Sequence, residues 1–306
     1  MAREADEHSA PTTGTANDTD AGGAPPSLVN ASATLAIAEL AARRAGRLIR
    51  DAWETSRATS EVTSKGAVDL VTDTDEAAEV CVREILAETG IPVWGEEAGL
   101  SVGEEAAHEA HEASEEGPMW IVDPIDGTTN FSQRIPHFAV SIGLWWRGRA
   151  RLGVVFDPVL NECFSAVGGV AWLNDRRLPK IRPPALDEAV LSTGFPYGRR
   201  VDPDNNLREF NALLLKTRSV QHTGSAALNM AYVAAGRLDG FWEADLKPWD
   251  LCAGIALVEG VGGVVTTRDG APYWFGARMV VAAGAPLHEV LRAELVALRH
   301  PDSKDG

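Results

Sequence analysis

The run Asp123-Pro124-Ile125-Asp126-Gly127-Thr128-Thr129-Asn130-Phe131, entered from the apolar stretch Met119 to Val122, gathers the residue types of a reactive site into nine positions. An apolar stretch that meets Pro and Gly reads as a buried strand closing in a tight turn, with Pro124 fixing one φ and Gly127 free to turn. Two carboxylates three residues apart at such a strand end collect oxygen ligands around one point, and oxygen-only clusters suit hard divalent cations. Gly127-Thr128-Thr129 can open a helix whose free backbone N–H groups face the same point and attract an anion. Metal carboxylates beside anion donors point to phosphate chemistry. Taken alone, the short Asp-x-x-Asp-Gly-Thr pattern also fits a surface turn.

Three further acidic elements weigh against that plain turn. They are Asp69-Leu70-Val71-Thr72-Asp73-Thr74-Asp75, then Trp94-Gly95-Glu96-Glu97, and Lys247-Pro248-Trp249-Asp250. Each sets a carboxylate beside apolar residues at the edge of an element, where an unpaired charge is costly without a cation.

In motif content and order the sequence resembles the inositol monophosphatase family of magnesium-dependent, lithium-sensitive sugar-phosphate phosphatases, from about Ala33 to about Leu298. The Trp120 to Phe131 run, Gly95-Glu96-Glu97 and Lys247 to Asp250 carry the resemblance, with Gly224-Ser225-Ala226-Ala227 and Glu243. The resemblance implies an α/β fold of α+β layered type, a sugar-phosphatase-like α/β/α/β/α sandwich with the site where two halves meet. It implies that Glu96, Asp123 and the Ile125 carbonyl hold a first Mg²⁺, that Asp123, Asp126 and Asp250 hold a second, and that Glu96 and Glu97 attract a third. Two or three ions are therefore expected, with Mn²⁺ as a substitute.

The same resemblance assigns the attacking water to Thr128 and Asp75, with Glu96 in the catalytic set. A threonine hydroxyl is a poor base, so Asp75 must supply the basicity. The N–H groups of Gly127 and Thr128 are expected to hold phosphate oxygens. Gly224, Ser225, Ala226 and Glu243, beside Asp126 and Asp250, are expected to meet the substrate, a phosphorylated polyol or sugar such as inositol monophosphate. Histidinol phosphate, fructose bisphosphate and phosphoadenosine phosphate are the alternative esters, and an interaction protein of the transcription machinery is the alternative from another class. Lys65 matches a family lysine near the third metal only with a one-residue difference in spacing. A homodimer is expected by analogy. Cys252, two residues past Asp250, lacks the glycine-rich loop ending in Arg that a cysteine phosphatase needs.

The elements that must position these residues follow from composition and period. The chain has 306 residues, 45% of them hydrophobic, enough for a substantial core in one or two domains. A formal charge of −16 opposes direct binding to nucleic acid or to an anionic membrane. The absence of a long apolar run or an apolar leader predicts a cytoplasmic protein. Cys81, Cys163 and Cys252 lie far apart without metal spacing and read as buried free thiols.

Residues 1 to 27, poor in large apolar side chains, read as a disordered tail. Two halves follow, 28–180 with the metal motifs and 181–303 with the substrate residues. A long amphipathic helix is expected from Leu28 to about Arg57, and a second after Asp75 with its stop at Gly90. Ser101 to Gly117, with its glutamates and with His108 and His111 three apart, reads as a solvated acidic insertion. Alternating apolar residues from Phe138 to Leu173 predict a meander, with Arg147-Gly148-Arg149 as one hairpin turn. Beyond Ile181 short strands alternate with helices, among them Ser225 to Ala235 and Trp249 to Gly260.

Overall fold

The computed structural model of the chain describes residues 30–58, 64–97, 112 and 114–299, except for the side chains of 56–72. The expected tail, His108 and His111 lie outside the described residues, as do the side chains of Lys65 and Asp69.

Helix α1 (Ala31–Ala58) starts at Asn30, whose Oδ1 accepts the Ala33 N–H at 3.2 Å. It buries Ala38, Ala41, Ala42, Ala45, Ile49 and Trp53, a stripe at spacings of three and four. Helix α2 (Ser64–Leu86) starts well before the position predicted from periodicity, so Asp75 lies inside it and not ahead of it. The cause is the Val, Thr and Asp content of its first half, which has weak helix propensity and hides the helical period. Asp75, Ala78, Glu79, Val82 and Leu86 share its buried stripe. Gly90, at φ 67°, ends the following 3-10 turn, as its position in the sequence predicts.

A seven-stranded sheet holds β1 (Val93–Gly95), β2 (Met119–Asp126), β3 (Ala139–Trp146), β4 (Arg149–Asp157), β5 (Glu162–Val167), β6 (Val170–Leu173) and β7 (Arg176–Arg177) in sequence order. Only β1 and β2 run parallel. Three of the turns place two successive residues at positive φ, Arg147-Gly148, Gly168-Gly169 and Asn174-Asp175, the backbone twist that joins adjacent strands most tightly. A short helix α3 (Thr128–Ser132) separates β2 from β3.

The rest of the chain runs β8 (Val190–Thr193), α4 (Leu207–Leu214), β9 (Ser219–Gln221), α5 (Ala226–Ala234), β10 (Gly240–Ala244), α6 (Pro248–Gly260), β11 (Gly263–Thr267), β12 (Met279–Gly284) and α7 (Ala285–Ala297). Its strands form a five-stranded sheet in the order β11-β12-β10-β8-β9.

Five layers result. α1 and α2 pack with Val140, Ile142, Leu144 and Phe156 on one face of the first sheet. Between the sheets lie α5 and α6, buried almost all round, against Ala139, Trp145 and Phe164 on one side and Phe241, Val280 and Ala282 on the other. Leu213 of α4 and Leu287, Leu291 and Leu295 of α7 cover the outer face of the second sheet with Met279, Val281 and Ala283. The period-2 alternation of β12, Met279/Val281/Ala283 out and Val280/Ala282 in, is what serves both layers. This is the α/β/α/β/α sandwich. Among the described residues, no helix is long and apolar enough to cross a membrane. Cys163 and Cys252 are buried, whereas Cys81, expected buried, is half-exposed on α2.

Candidate active site

In a regular strand, residues three apart point to opposite faces. Asp123 and Asp126 escape that rule because the pairing of β2 with β3 shifts between them: Asp123 lies opposite Ser141 and Asp126 opposite Ala139. Three steps on β2 thus match two on β3. The extra residue forms a bulge at Pro124-Ile125, and a bulge re-aims the side chains that follow it. Both carboxylates are buried. Gly127 then turns at φ 98° and α3 begins, placing the Thr128 hydroxyl 3.2 Å from the Ile125 carbonyl, to which it donates.

The second half of the chain brings two helix starts to the same point. Ser225 caps α5 by accepting the Leu228 N–H at 3.3 Å, and its hydroxyl donates to Asp126 Oδ2. The Ala226 and Ala227 N–H groups donate to Asp126 at 3.3 and 2.9 Å. A carboxylate is favoured at a helix N-terminus, so α5 fixes Asp126. Asp250, in the first turn of α6, accepts the Lys247 N–H at 2.7 Å. Ser141 of β3 donates to the Trp249 carbonyl at 3.0 Å and ties that helix start to the first sheet. Asp123, Asp126 and Asp250 each contribute one oxygen to a group whose members lie within 4.8 Å of one another.

Glu96 follows β1, with its N–H donating to the Val122 carbonyl at 3.2 Å and its carboxyl hydrogen-bonded to Asp123. Glu97 is exposed. Its N–H donates to Glu79 Oε2 at 2.8 Å, and Glu79 is itself buried and paired with Arg83 at 2.7 Å. Glu79 therefore holds the Glu96-Glu97 loop, a role not read from the sequence. The available signal was its spacing, four after Asp75 and four before Arg83 on one helix. Trp94 adds an edge-on contact with Trp249, with centroids 5.6 Å apart, joining β1 to α6.

Crowded carboxylates resist ionisation. Burial, followed by Glu97, Glu96 and Glu79, raises the Asp75 pKa to about 8. Burial and then Glu97 raise Glu96 to about 7. Burial raises Asp126 to about 6, with the bonds from α5 acting in the other direction. Asp123 and Asp250 are held well above the carboxylate range by burial and by their acidic neighbours. The donor set fits a hard divalent cation, and one atom makes that specific: Asp123 Oδ1 is buried with no hydrogen-bond partner. A buried acceptor left in that state is costly unless a cation meets it.

Glu243, on β10, is half-buried, and its pKa is raised by burial, then by Asp250 and Asp126, which places it beside the cluster. Its carboxylate lies on the Gly194 backbone, where any Cβ would overlap it. Buried Asn206 fixes that backbone by donating to the Gly194 carbonyl at 2.6 Å and to Thr193 Oγ1 at 2.7 Å while accepting the Trp242 indole N–H at 2.7 Å. Gly224 is exposed at φ 84°, and a Cβ on Gly127 would stand 3.2 Å from its carbonyl. Ser225 and Ala226 are buried and face Asp126. Asn130 pins the two segments by donating to the carbonyls of His137 and Thr223, both at 2.8 Å. Tyr197, 98% exposed on the loop after Gly194, has its pKa raised by desolvation and then by Asp250, Glu96, Asp126 and Asp123.

The family model described as "Inositol monophosphatase family" matches residues 30–301. The chain belongs to the inositol monophosphatase family. It is accordingly a phosphoric monoester hydrolase. The Nus factor SuhB of Salmonella typhimurium is 39% identical over 268 residues, covering 87% of this chain and 95% of that protein. The inositol-1-monophosphatase of Rhizobium meliloti is 39% identical over 265 residues, covering 85% and 95%. The solved inositol monophosphatase of Anabaena superposes with a TM-score of 0.75 at 34% identity, covering 88% of this chain and 98% of that one. In this inositol monophosphatase family member Cys252 packs against Gly143 under β3 and is no nucleophile, its thiol pKa pushed up by burial.

Proposed function

We propose that this phosphatase hydrolyses inositol monophosphate or a related polyol or sugar phosphate, with two or three Mg²⁺ ions, for which Mn²⁺ can substitute. The observation that carries the reading is the set of buried Asp123 and Asp126 with half-buried Asp250 and the partnerless Asp123 oxygen, a set whose charges also act on Glu243. Asp123, with Glu96 and the Ile125 carbonyl on one side and Asp126 and Asp250 on the other, would hold the ions, and Glu97 the outermost. Bound ions neutralise the phosphate and lower the pKa of water. Asp75 takes the proton of the attacking water, and Thr128 orients that water. The N–H groups of Gly127 and Thr128 bind phosphate oxygens. Glu243 accepts hydrogen bonds from the polyol hydroxyls, with Gly224, Ser225 and Ala226 forming the small-residue wall behind them.

The test is a panel of inositol 1-phosphate, histidinol phosphate, fructose bisphosphate and phosphoadenosine phosphate, assayed with Mg²⁺ and phosphate detection. The highest kcat/KM is expected on inositol 1-phosphate. A preference for any other ester by about tenfold or more overturns the substrate. A cytoplasmic homodimer is part of the same reading, and light scattering tests the dimer. The names of the SuhB relatives favour a second role, contact with the transcription machinery. With a charge of −16 that contact would be with protein, not RNA.

A further inference from the structure

Away from the carboxylates, a cavity of about 260 Å³ lies between α1 and the end of β4, lined by Arg43, Gly46, Arg47, Arg50, Phe156 and Pro158. It is separate from the site above. Phe156 faces α1, whereas Asp123 lies opposite Ser141, which bonds to α6 on the other face of the sheet. Positions 43, 47 and 50 fall on one stripe of a helix. Gly46 sits beside them because a Cβ there would overlap the Phe156 ring, so the glycine brings the helix down onto β4.

Like charges one turn apart destabilise a helix, and acidic partners are at hand, Glu39 one turn before Arg43 and Asp51 one turn after Arg47. Among the described residues, neither pair forms. The Arg43 guanidinium lies 5.4 Å from the Phe156 centroid, and Arg47 Nε donates only to the Arg43 carbonyl, at 3.4 Å. Arg50 reaches Glu54 loosely, at 3.8 Å, and its Nε is buried without a hydrogen-bond partner. In a chain of net charge −16, three guanidiniums line one cavity, and two of them, Arg43 and Arg47, leave the carboxylates one turn away unpaired.

We infer that this cavity is a second anion site, for a small phosphate-bearing molecule. Guanidinium forks match tetrahedral oxyanions in pairs of hydrogen bonds, and the volume admits a phosphate or a small ester. Phe156 and Pro158 add an apolar wall for an ester's organic group.

Calorimetric titration of the chelator-treated protein at constant ionic strength tests this, with inorganic phosphate in one arm and phenyl phosphate in the other. Without divalent ions the carboxylate cluster repels both, so the heat reports the arginine cavity. Saturable one-to-one binding is expected, weakened at least about tenfold in an Arg43→Gln/Arg47→Gln protein and unchanged in Arg44→Gln, which alters an exposed neighbour. Tighter binding of phenyl phosphate assigns the site to an ester, and equal binding assigns it to free phosphate. No saturation below about 10 mM, no loss in the double variant, or the same loss in Arg44→Gln overturns the site. If the double variant melts early without ligand, Arg43→Lys keeps the charge but not the fork, and unweakened binding there overturns it equally.

Discussion

Asp123 combines burial, an oxygen without a partner and four acidic neighbours, so an unshared charge there is costly. Asp123→Asn should remove nearly all Mg²⁺-dependent turnover while the metal-free protein melts higher than wild type, because one like charge leaves the cluster. Steady-state assays and melting curves with chelator check both, and appreciable turnover by the folded variant contradicts the bridging role. Glu243 separates substrate from metal chemistry. Glu243→Gln keeps the shape but weakens the acceptor, so efficiency on inositol monophosphate should drop by roughly tenfold to a hundredfold. On para-nitrophenyl phosphate, which has no ring hydroxyls, the loss should be much smaller. Equal losses on the two esters would assign Glu243 to the fold or the metals instead.

At the scale of elements, Asp250 is placed by the depth to which α6 sinks between the sheets. Gly143 and Gly153 set that depth: a Cβ on either would overlap Cys252 or the Ala253 backbone. Backbone cannot swing aside as a side chain can. Gly153→Ala should therefore cost about 1–3 kcal/mol of stability and raise the Mg²⁺ concentration needed for half activity, since the start of α6 must move. Thermal melts and Mg²⁺ titrations measure the two together, and a stability loss with unchanged Mg²⁺ demand would separate α6 from the metal site. The acidic insertion joins the fold at its C-terminal end. Its last part is built in, with Ser114 buried and its carbonyl accepting the Arg147 N–H at 3.1 Å. Replacing 101–111 by a short Gly/Ser link should leave turnover within a fewfold, as the loop-closure cost changes only slowly with loop length. A large rise in Mg²⁺ demand would show instead that the segment recruits metal.

For the whole molecule, the carboxylate cluster sets how stability depends on pH. Asp75, Glu96 and Asp126, at about 8, 7 and 6 when folded, lie above their unfolded values near 4. The folded state then takes up protons that the unfolded state does not, so this contribution is complete below about pH 4 and lost as pH rises toward about 8. Buried His288, half-buried His137 and exposed His222 have lowered pKa values and act oppositely, costing stability below about pH 6.5. Metal-free protein should thus melt progressively lower from about pH 6.5 to 8.5, and saturating Mg²⁺, which replaces the protons, should flatten or reverse that slope. Identical slopes by calorimetry with chelator and with Mg²⁺ would contradict the cluster as the metal site.

The meander and the main acidic motifs were legible in the sequence because each rests on local chemistry, on period, turn residues and carboxylates beside apolar runs, and the fold class followed from the family resemblance that those motifs carry. The first half of helix α2 was not, since Val, Thr and Asp disguised its period. Nor were Glu79, Asn130 and Asn206, whose roles depend on partners distant in the chain or in the loop they hold. Only tertiary structure brings Asp123 and Asp126 to one face, by a bulge that exists in the pairing with β3. Only the burial of α5 and α6 between two sheets carries Ser225 and Asp250 to that strand end, because a helix start is aimed by the packing of its whole length and not by the residues that cap it.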